Sequence, residues 1–222
     1  MKGIQTEEVG RRVDLDGLRD EVSRRLTREL PEHMYYHDAA HTLDEVVPVA
    51  LLLADAEGVD GPAREVLLAA ALLHDIGYTR TTHDHEAASA AMAAEILPTY
   101  GFGTEQVAAV ERLILATRVG HRPESLSEAI IADADLDVLG RADFWHRNRS
   151  LQRELAALGL AHEDRSWVEI QQRFLRGHSF HTASARARGG AGKIANERRV
   201  ATRLRRLVRV AGARAERAAG AG

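Results

Sequence analysis

Histidine and aspartate residues recur in four short segments of this 222-residue chain, each set beside apolar residues. The segments are YHDAAH at 36–41, LHDIG at 73–77, HDHE at 83–86 and DADLD at 133–137. The second segment follows the apolar run VLLAAALL, so at least one of His74 and Asp75 enters a buried environment. Burying such a group without a partner costs on the order of several kcal/mol. A bound metal ion offsets that cost, because neutral imidazoles and ionised carboxylates are metal ligands.

A hydrogen-bonded histidine in the core is the simpler explanation for any one of these segments. It does not account for the recurrence of the pattern. His37 and His41 form an i, i+4 pair near the start of another helix, and Asp135 lies within the apolar stretch IIADADL. The chain has no cysteine, which excludes disulfides, thiolate zinc sites and cysteine nucleophiles. Any metal site must therefore use nitrogen and oxygen ligands.

The four segments resemble the HD-domain superfamily of metal-dependent phosphohydrolases, whose pattern is a separated His, a His-Asp doublet and a later Asp. The resemblance covers about 34–207, and the matching stretches are YYHDAAHTLDEV, AALLHDIGY, HDHEAASAAMAAEIL and IADADLDVLG. The resemblance implies four metal ligands, which are His41, His74, Asp75 and Asp135. Asp75 is also assigned a catalytic role. Asp133 is the reserve candidate for the last ligand.

The YHxxxH spacing is also similar to a motif of class I cyclic-nucleotide phosphodiesterases, which implies that His37 is a catalytic proton donor. Imidazole titrates near neutral pH, and i, i+4 spacing directs both rings toward one cleft. Asp38 stands where those enzymes usually have Asn, which leaves nucleotide specificity open. His85 matches a histidine that binuclear HD enzymes use for a second metal ion. His121, in a loop, is the weaker candidate for that set.

These residues lead to the hypothesis that a divalent cation activates water to cleave a phosphoester. The cation is Mn, Fe, Zn or Mg, with one site expected and a second left open. The substrate is expected to be a nucleotide, a cyclic nucleotide or another small phosphoester, and the enzyme a phosphodiesterase or a phosphomonoesterase. His121, Arg141 and Lys193 are candidate substrate-binding residues, the last two because cations stabilise transition-state charge.

Two other functions stay open from the residues alone. An HD-fold di-iron oxygenase requires both His85 and His121 as ligands. A nucleotide-binding sensor would retain the metal site and hydrolyse little. Oxygen-dependent turnover by an iron pair indicates the first, and nucleotide-dependent thermal stabilisation without product indicates the second.

Apolar positions recur at intervals of three and four residues, which predicts an all-α, single HD-like helical bundle without significant β-sheet. Proline and glycine delimit the predicted helices. These run over 15–30, 39–57, 63–76, 86–100, 104–117, 125–139, 142–158, 166–176 and 193–211. Pro48 predicts a kink, Pro98 an early stop and the Gly-rich stretch 184–192 a loop. The predicted organisation is an N-terminal helix packing on the core over 1–33, the HD-type domain over 34–211 and a disordered tail over 212–222.

The net charge of −3 favours neither nucleic acid nor an anionic membrane as an obligatory partner. Residues 186–217 nevertheless carry eleven Lys or Arg against two Glu. The favoured interpretation is a solvated helix whose Leu204, Leu207 and Val208 face the core, which makes nucleic acid an unlikely partner. The N-terminal sequence lacks an apolar signal region, and no apolar stretch is long enough to span a bilayer. A cytoplasmic protein without a membrane partner is therefore expected.

Overall fold

The structure is a computed structural model that describes the backbone of residues 12–219 and the side chains of residues 12–213. Over that range the chain is helical and contains no strand, which confirms the predicted all-α class. The helices are α1 (Leu15–Glu29), α2 (Val47–Glu57), α3 (Gly61–Leu73), α4 (His85–Ile96), α5 (Thr104–Leu115), α6 (Leu126–Asp135), α7 (Phe144–Ala157), α8 (Asp164–Gly177) and α9 (Ala183–Ala219). Short 3₁₀ segments follow α3, α4 and α6 at Ile76–Thr79, Leu97–Tyr100 and Asp137–Gly140.

The first six helices enclose the larger of two apolar cores. Leu18, Val22 and Leu26 form the inner side of α1, and all three are buried. Helix α3 lies at the centre, and its residues 69–73 are buried without exception. This second half of α3 is apolar on all sides, which requires such a position. The burial of α3 carries the next residue, His74, into the interior.

A π-helical turn, His41–Val46, leads into α2. The sequence predicted a kink close to it, at Pro48. The Val47 N–H donates to the carbonyl of Thr42, five residues earlier. Pro48 has no N–H and cannot make the α-helical hydrogen bond, so a wider turn accommodates its ring. The π turn begins at His41, one of the predicted metal ligands.

Helices α7, α8 and α9 form a smaller second core with the 3₁₀ segment that follows α6. Its buried residues are Val138, Leu139, Phe144, Val168, Leu175 and Val200. Leu204 and Leu207 of α9 pack against this core, in agreement with the sequence interpretation. Val208 does not, since it is 45 % exposed. From residue 201 to residue 213, the last whose side chain is described, most side chains of α9 are exposed, so the helix extends past the core.

The Gly-rich stretch 184–192 belongs to α9, so the loop predicted there is wrong. Its glycines permit a close approach of the helix to Gly140. A Cβ on Gly192 would lie 1.9 Å from the Gly140 carbonyl oxygen, and a Cβ on Gly140 would lie 2.6 Å from Cα of Gly189. The glycines are therefore explained by the backbone contact between α9 and the turn at Gly140, where a side chain would not fit. They do not mark a reversal of the chain.

Helix α9 is 37 residues long and continues to Ala219, whereas a disordered tail was expected from residue 212. Residues 1–11 and 220–222 lie outside the described part of the chain. The domain boundaries at residues 33 and 211 stay a prediction. Neither α9 nor any other helix within residues 12–219 combines the length and the apolar character that a bilayer crossing requires.

Candidate metal centre

Three chain segments bring imidazole and carboxylate groups to one buried pocket. His41 comes from the π turn, His74 and Asp75 follow α3, and Asp135 ends α6. Donor atoms of His41, His74 and Asp135 lie within 4.8 Å of one another. Nε2 of His41 lies 3.2 Å from Oδ1 of Asp135 and 3.6 Å from Oδ2 of Asp75. Nε2 of His74 lies 3.2 Å from that same Asp75 oxygen. We name these four side chains the metal pocket.

The other ring nitrogen of each histidine in the metal pocket already has a partner. Nδ1 of His74 lies 2.9 Å from the carbonyl oxygen of Ala71, which can only accept a hydrogen bond. Nδ1 of His41 lies 3.3 Å from Oε2 of Glu45. An Nδ1–H donated to an oxygen leaves the lone pair on Nε2, which is how metal-ligating histidines are usually oriented. The two Nε2 atoms are the ones that face the carboxylates.

The pocket lacks hydrogen bonds that its burial would normally require. Within the described residues, Nε2 of His74 and Oδ2 of Asp75 have no hydrogen-bond partner of acceptable geometry. Burial opposes a charged imidazole, but hydrogen bonds to Asp135 and Glu45 raise the pKa of His41 to about 9, so the pocket favours positive charge. A divalent cation would satisfy the orphaned atoms and the charge together. Two imidazoles and two carboxylates suit Mn, Fe or Zn, and Mg less well.

A fifth candidate ligand adjoins the pocket from α4. Nε2 of His85 lies 3.4 Å from Oδ1 of Asp75, the oxygen that does not contact His74. The His85 ring stacks on Tyr78, with 4.0 Å between the ring centroids. Gly77 permits this approach, because a Cβ there would lie 2.2 Å from the His85 carbonyl oxygen. Asp75 thus presents one oxygen to the histidine pair and the other to His85.

A buried carboxylate from α7 holds His37. Glu154 is 1 % exposed, and its Oε1 lies 2.5 Å from Nδ1 of His37. Its Oε2 accepts the backbone N–H groups of Tyr36 at 2.8 Å and His37 at 3.1 Å. Burial works against ionisation, but these hydrogen bonds lower the pKa of Glu154. Nε2 of His37 has no hydrogen bond to any described residue, and the ring lines the adjoining cavity.

The metal pocket opens into a cavity of about 340 Å³ with mainly apolar and aromatic walls, which we name the cleft. Trp167, Ile170 and Phe174 of α8 are among its lining residues. Two buried amides, Asn148 and Gln171, also line it. Oδ1 of Asn148 accepts the indole N–H of Trp167 at 2.8 Å. The Gln171 amide makes no hydrogen bond within the described residues. Among those residues, no Lys or Arg lines the cleft.

The HD domain family model matches residues 38–137, which include every side chain of the metal pocket. A solved structure, titled a "predicted HD superfamily hydrolase" from an uncultured Thermotogales bacterium, is similar to this chain with 31 % sequence identity. The TM-score is 0.50, and the match covers 71 % of this chain and 91 % of that one. The chain belongs to the HD superfamily. The resemblance drawn from the sequence motifs is therefore confirmed.

A curated relative matches a shorter part of this HD protein. The bifunctional uridylyltransferase/uridylyl-removing enzyme of Cereibacter sphaeroides is 38 % identical to it over 74 residues. That match covers 33 % of this chain and only 7 % of the relative. The similarity supports the HD assignment and indicates no particular substrate.

Two basic residues predicted to bind substrate lie elsewhere in the HD fold. The Lys193 ammonium donates to the Leu175 carbonyl at 2.6 Å, where it satisfies the last turn of α8. Lys193 is absent from the cleft lining, so its substrate-binding role stays a prediction. Arg141 donates to Glu45 at 3.0 Å, and Glu45 in turn contacts His41. Arg141 therefore acts on His41 indirectly, through Glu45, and it is not among the lining residues of the cleft.

His121, the third predicted substrate residue, lies in the loop between α5 and α6. Its Nε2 lies 3.1 Å from Oε2 of Glu128, and the ring lines a second cavity next to the cleft. The two cavities share five lining residues, which are Thr117, Val119, Leu136, Ile170 and Phe174. An HD-fold oxygenase requires His121 as a metal ligand. In the described part of the chain its Nε2 contacts Glu128, and it does not belong to the close group of His41, His74 and Asp135.

Asp133, the reserve candidate for the last ligand, anchors the chain that enters α9. Its Oδ1 accepts the backbone N–H of His181, and its Oδ2 accepts both the N–H and the hydroxyl of Thr182, all at 2.8 Å. The side chain is 1 % exposed, and the three donors supply the hydrogen bonds that a buried carboxylate needs. Asp133 is a structural carboxylate two residues before Asp135.

The sequence interpretation missed three charged residues around the site: Glu45, Arg147 and Glu154. Glu45 lies four residues after His41, so helical spacing could have indicated it. Arg147 is 7 % exposed and lies 3.3 Å from Glu45. Glu154 offers no comparable signal, because 117 residues separate it from His37.

Proposed function

We propose that this HD protein is a metal-dependent hydrolase that cleaves a small phosphoester. The proposal rests on the convergence of two imidazoles and two carboxylates beside a cleft that also has His37 in its wall. A bound divalent cation supplies Lewis-acid activation of the phosphoryl group and of water. Membership of the HD superfamily supports the hydrolase class, and the phosphoester substrate is the more specific part of the proposal.

The chain's own residues divide the remaining tasks. His41, His74, Asp75 and Asp135 would hold the cation, and His85 would be the further ligand next to Asp75. His37 donates a proton from Nε2 to the departing oxygen, which would otherwise leave as an alkoxide. Glu154 keeps the His37 ring in place through its contact with Nδ1. Glu154 is thus a positioning residue.

The cleft favours a substrate with one phosphoryl group and a cyclic, uncharged leaving group. Without Lys or Arg among its described lining residues, the cleft offers no partner for the further charges of a diphosphate or triphosphate. The rings of Trp167 and Phe174 suit a planar ring. The free amide of Gln171 suits a polar ring edge. A nucleoside monophosphate ester, cyclic or linear, combines these features.

Metal analysis of the purified chain, followed by a phosphoester panel with Mn, Fe, Zn and Mg in separate reactions, tests the proposal. We expect turnover of monophosphoryl nucleotide esters that depends on the metal and disappears in Asp75→Ala. Nucleoside triphosphates should be poor substrates. Absence of phosphate or alcohol release with every metal would contradict the proposal.

The same samples separate the two other candidate functions. A stoichiometric iron pair in anaerobically purified protein, with turnover that requires oxygen, would indicate an oxygenase. A rise in melting temperature with nucleotide, without product in the presence of Mn, would indicate a sensor.

A further inference from the structure

A groove between α7 and α9 concentrates positive charge outside the cleft. Its volume is about 850 Å³. Its polar and aromatic lining includes Trp145, Arg149, Arg198, Arg199, Arg203 and Arg206. No Asp or Glu lines it within the described residues. We name it the arginine groove.

Four of its five guanidinium groups lack a carboxylate partner. Within the described residues, Arg203 alone is paired, with Asp164 at 3.5 Å. Arg199, Arg203 and Arg206 follow at intervals of four and three residues, so they project from one face of α9. Like charges at this spacing repel each other and destabilise a helix. Because the whole chain carries a net charge of −3, this local excess is not a general property of its surface.

The arginine groove also contains an aromatic ring, and a second cavity adjoins it. The Arg203 guanidinium lies 5.7 Å from the centroid of the half-buried Trp145 ring. A neighbouring cavity shares Trp145, Arg149 and Arg203 with the groove. It adds Arg153 and His162 to the lining, together with one carboxylate, Asp164, which is the partner of Arg203. An extended positive surface with a ring in its wall suits a polymer better than a single anion.

We propose that the arginine groove binds single-stranded nucleic acid, with phosphodiester groups on the arginines and a base stacked on Trp145. A bilayer suits this surface less well, because the arginines line a concave groove. Among the described large apolar residues of α9, the most exposed, Ile194, lies nine positions from Arg203, which is about two and a half turns and therefore the opposite side of the helix. Of the exposed ones, Val210 alone lines the groove. Sequence alone predicted a solvated helix face, since it does not show that α7 closes that face into a groove.

Fluorescence anisotropy of the full chain with a labelled oligouridylate tests this proposal. The test variant is Arg199→Gln with Arg206→Gln, and the matched control is Arg28→Gln with Arg112→Gln, which removes two exposed arginines elsewhere. We expect a Kd on the order of 1–100 µM, weakened about tenfold in the groove variant and unchanged in the control. The logarithm of affinity should fall with the logarithm of salt concentration with a slope of about −2 to −3.5, which corresponds to three to five neutralised phosphates on a single strand.

Tryptophan emission gives a second readout. Binding should quench the emission of the chain, and Trp145→Phe should abolish the quenching while Trp167 remains. Equal weakening in the groove and control variants would overturn the proposal, as would absence of oligonucleotide binding. Binding to phosphatidylserine vesicles without oligonucleotide binding would also overturn it and assign the groove to a membrane surface. Equal melting temperatures and metal contents of all variants establish that the fold is unchanged.

Discussion

Oε1 of Glu154 lies 2.5 Å from Nδ1 of His37, although 117 residues separate the two in the chain. The contact joins α7 to the segment that precedes the π turn, and the other Glu154 oxygen binds the backbone of that segment. One buried carboxylate therefore fixes both the ring of His37 and the chain that carries it. The free Nε2 is left for the cleft.

Glu154→Gln should lower kcat by about 10- to 100-fold on esters with alkyl leaving groups, because a poorly held His37 transfers its proton less well. A nitrophenyl ester should be affected little, since its leaving group needs no proton. Metal content should be unchanged. Steady-state kinetics on the two esters measure this difference, with the exposed Glu163→Gln as control. An equal loss on both esters would show that Glu154 matters only for folding.

Removal of the metal should lower the melting temperature. A ligand at about 100 times its Kd stabilises the native state by about 2.7 kcal/mol, which corresponds to roughly 5–10 °C for a chain of this size. Chelation should therefore shift the thermal transition of the wild type by that amount. Asp135→Asn removes a pocket carboxylate, so it should bind no metal, show no activity and not respond to chelator. A normal response in Asp135→Asn would contradict its role as a ligand.

Asp133→Asn should have the opposite phenotype to Asp135→Asn. An amide in place of the carboxylate cannot accept all three hydrogen bonds from His181 and Thr182, so we expect a loss of about 2–4 kcal/mol in the free energy of unfolding. The protein that remains folded should keep its metal and its kcat. Urea denaturation and metal analysis at low temperature measure the two properties. Loss of metal with unchanged stability would reverse the roles of the two aspartates.

Local sequence signals were sufficient for most of the metal pocket. His74 and Asp75 end the most apolar run of the chain, so their burial and their need for partners could be predicted without any fold. The i, i+4 spacing to His37 drew attention to His41, and the resemblance to the HD superfamily implied its role as a ligand. The apolar run that precedes His74 lies within α3, and helical periodicity is the best determined feature of a sequence.

Contacts between distant segments could not be predicted in this way. Lys193 was expected at the substrate, but it satisfies the end of α8, and nothing in either segment indicates that pairing. The glycines of 184–192 indicated a loop because their contact with Gly140, about fifty residues away, cannot be seen in one stretch of sequence. Glu154 was missed for the same reason. Tertiary packing, and not local propensity, decides these positions.

Gln171→Leu tests whether the cleft recognises a polar ring edge. The substitution keeps the side-chain size and removes the free amide, so KM for a nucleotide ester should rise about tenfold with kcat unchanged. Nitrophenyl phosphate, which has no amide-like edge, should be unaffected. Gln172→Leu on the same helix is the matched control. An unchanged KM for the nucleotide ester would remove Gln171 from the substrate site.

His178 makes the stability of the fold depend on pH. Its ring lies against Phe174 and Phe180, and both ring nitrogens are buried without a hydrogen-bond partner in the described part of the chain. Burial, with smaller contributions from the charges of Lys193 and His181, lowers the pKa of His178 from 6.5 to about 4. Between these values the unfolded chain binds the proton more readily than the native protein. The free energy of unfolding should therefore fall as the pH drops from about 6.5 to about 4.

His178→Phe keeps an aromatic ring between Phe174 and Phe180 and removes the titrating group. We expect its stability near pH 7 to equal or exceed that of the wild type, because two unpaired nitrogens are no longer buried. Near pH 5 the variant should be clearly the more stable protein. Other groups also lose stability in acid, among them Glu154, so the informative quantity is the difference between the two urea denaturation midpoints at each pH. The exposed His146→Phe is the control, and its difference from the wild type should stay constant with pH. A constant difference for His178→Phe would show that His178 is not the source of the acid sensitivity.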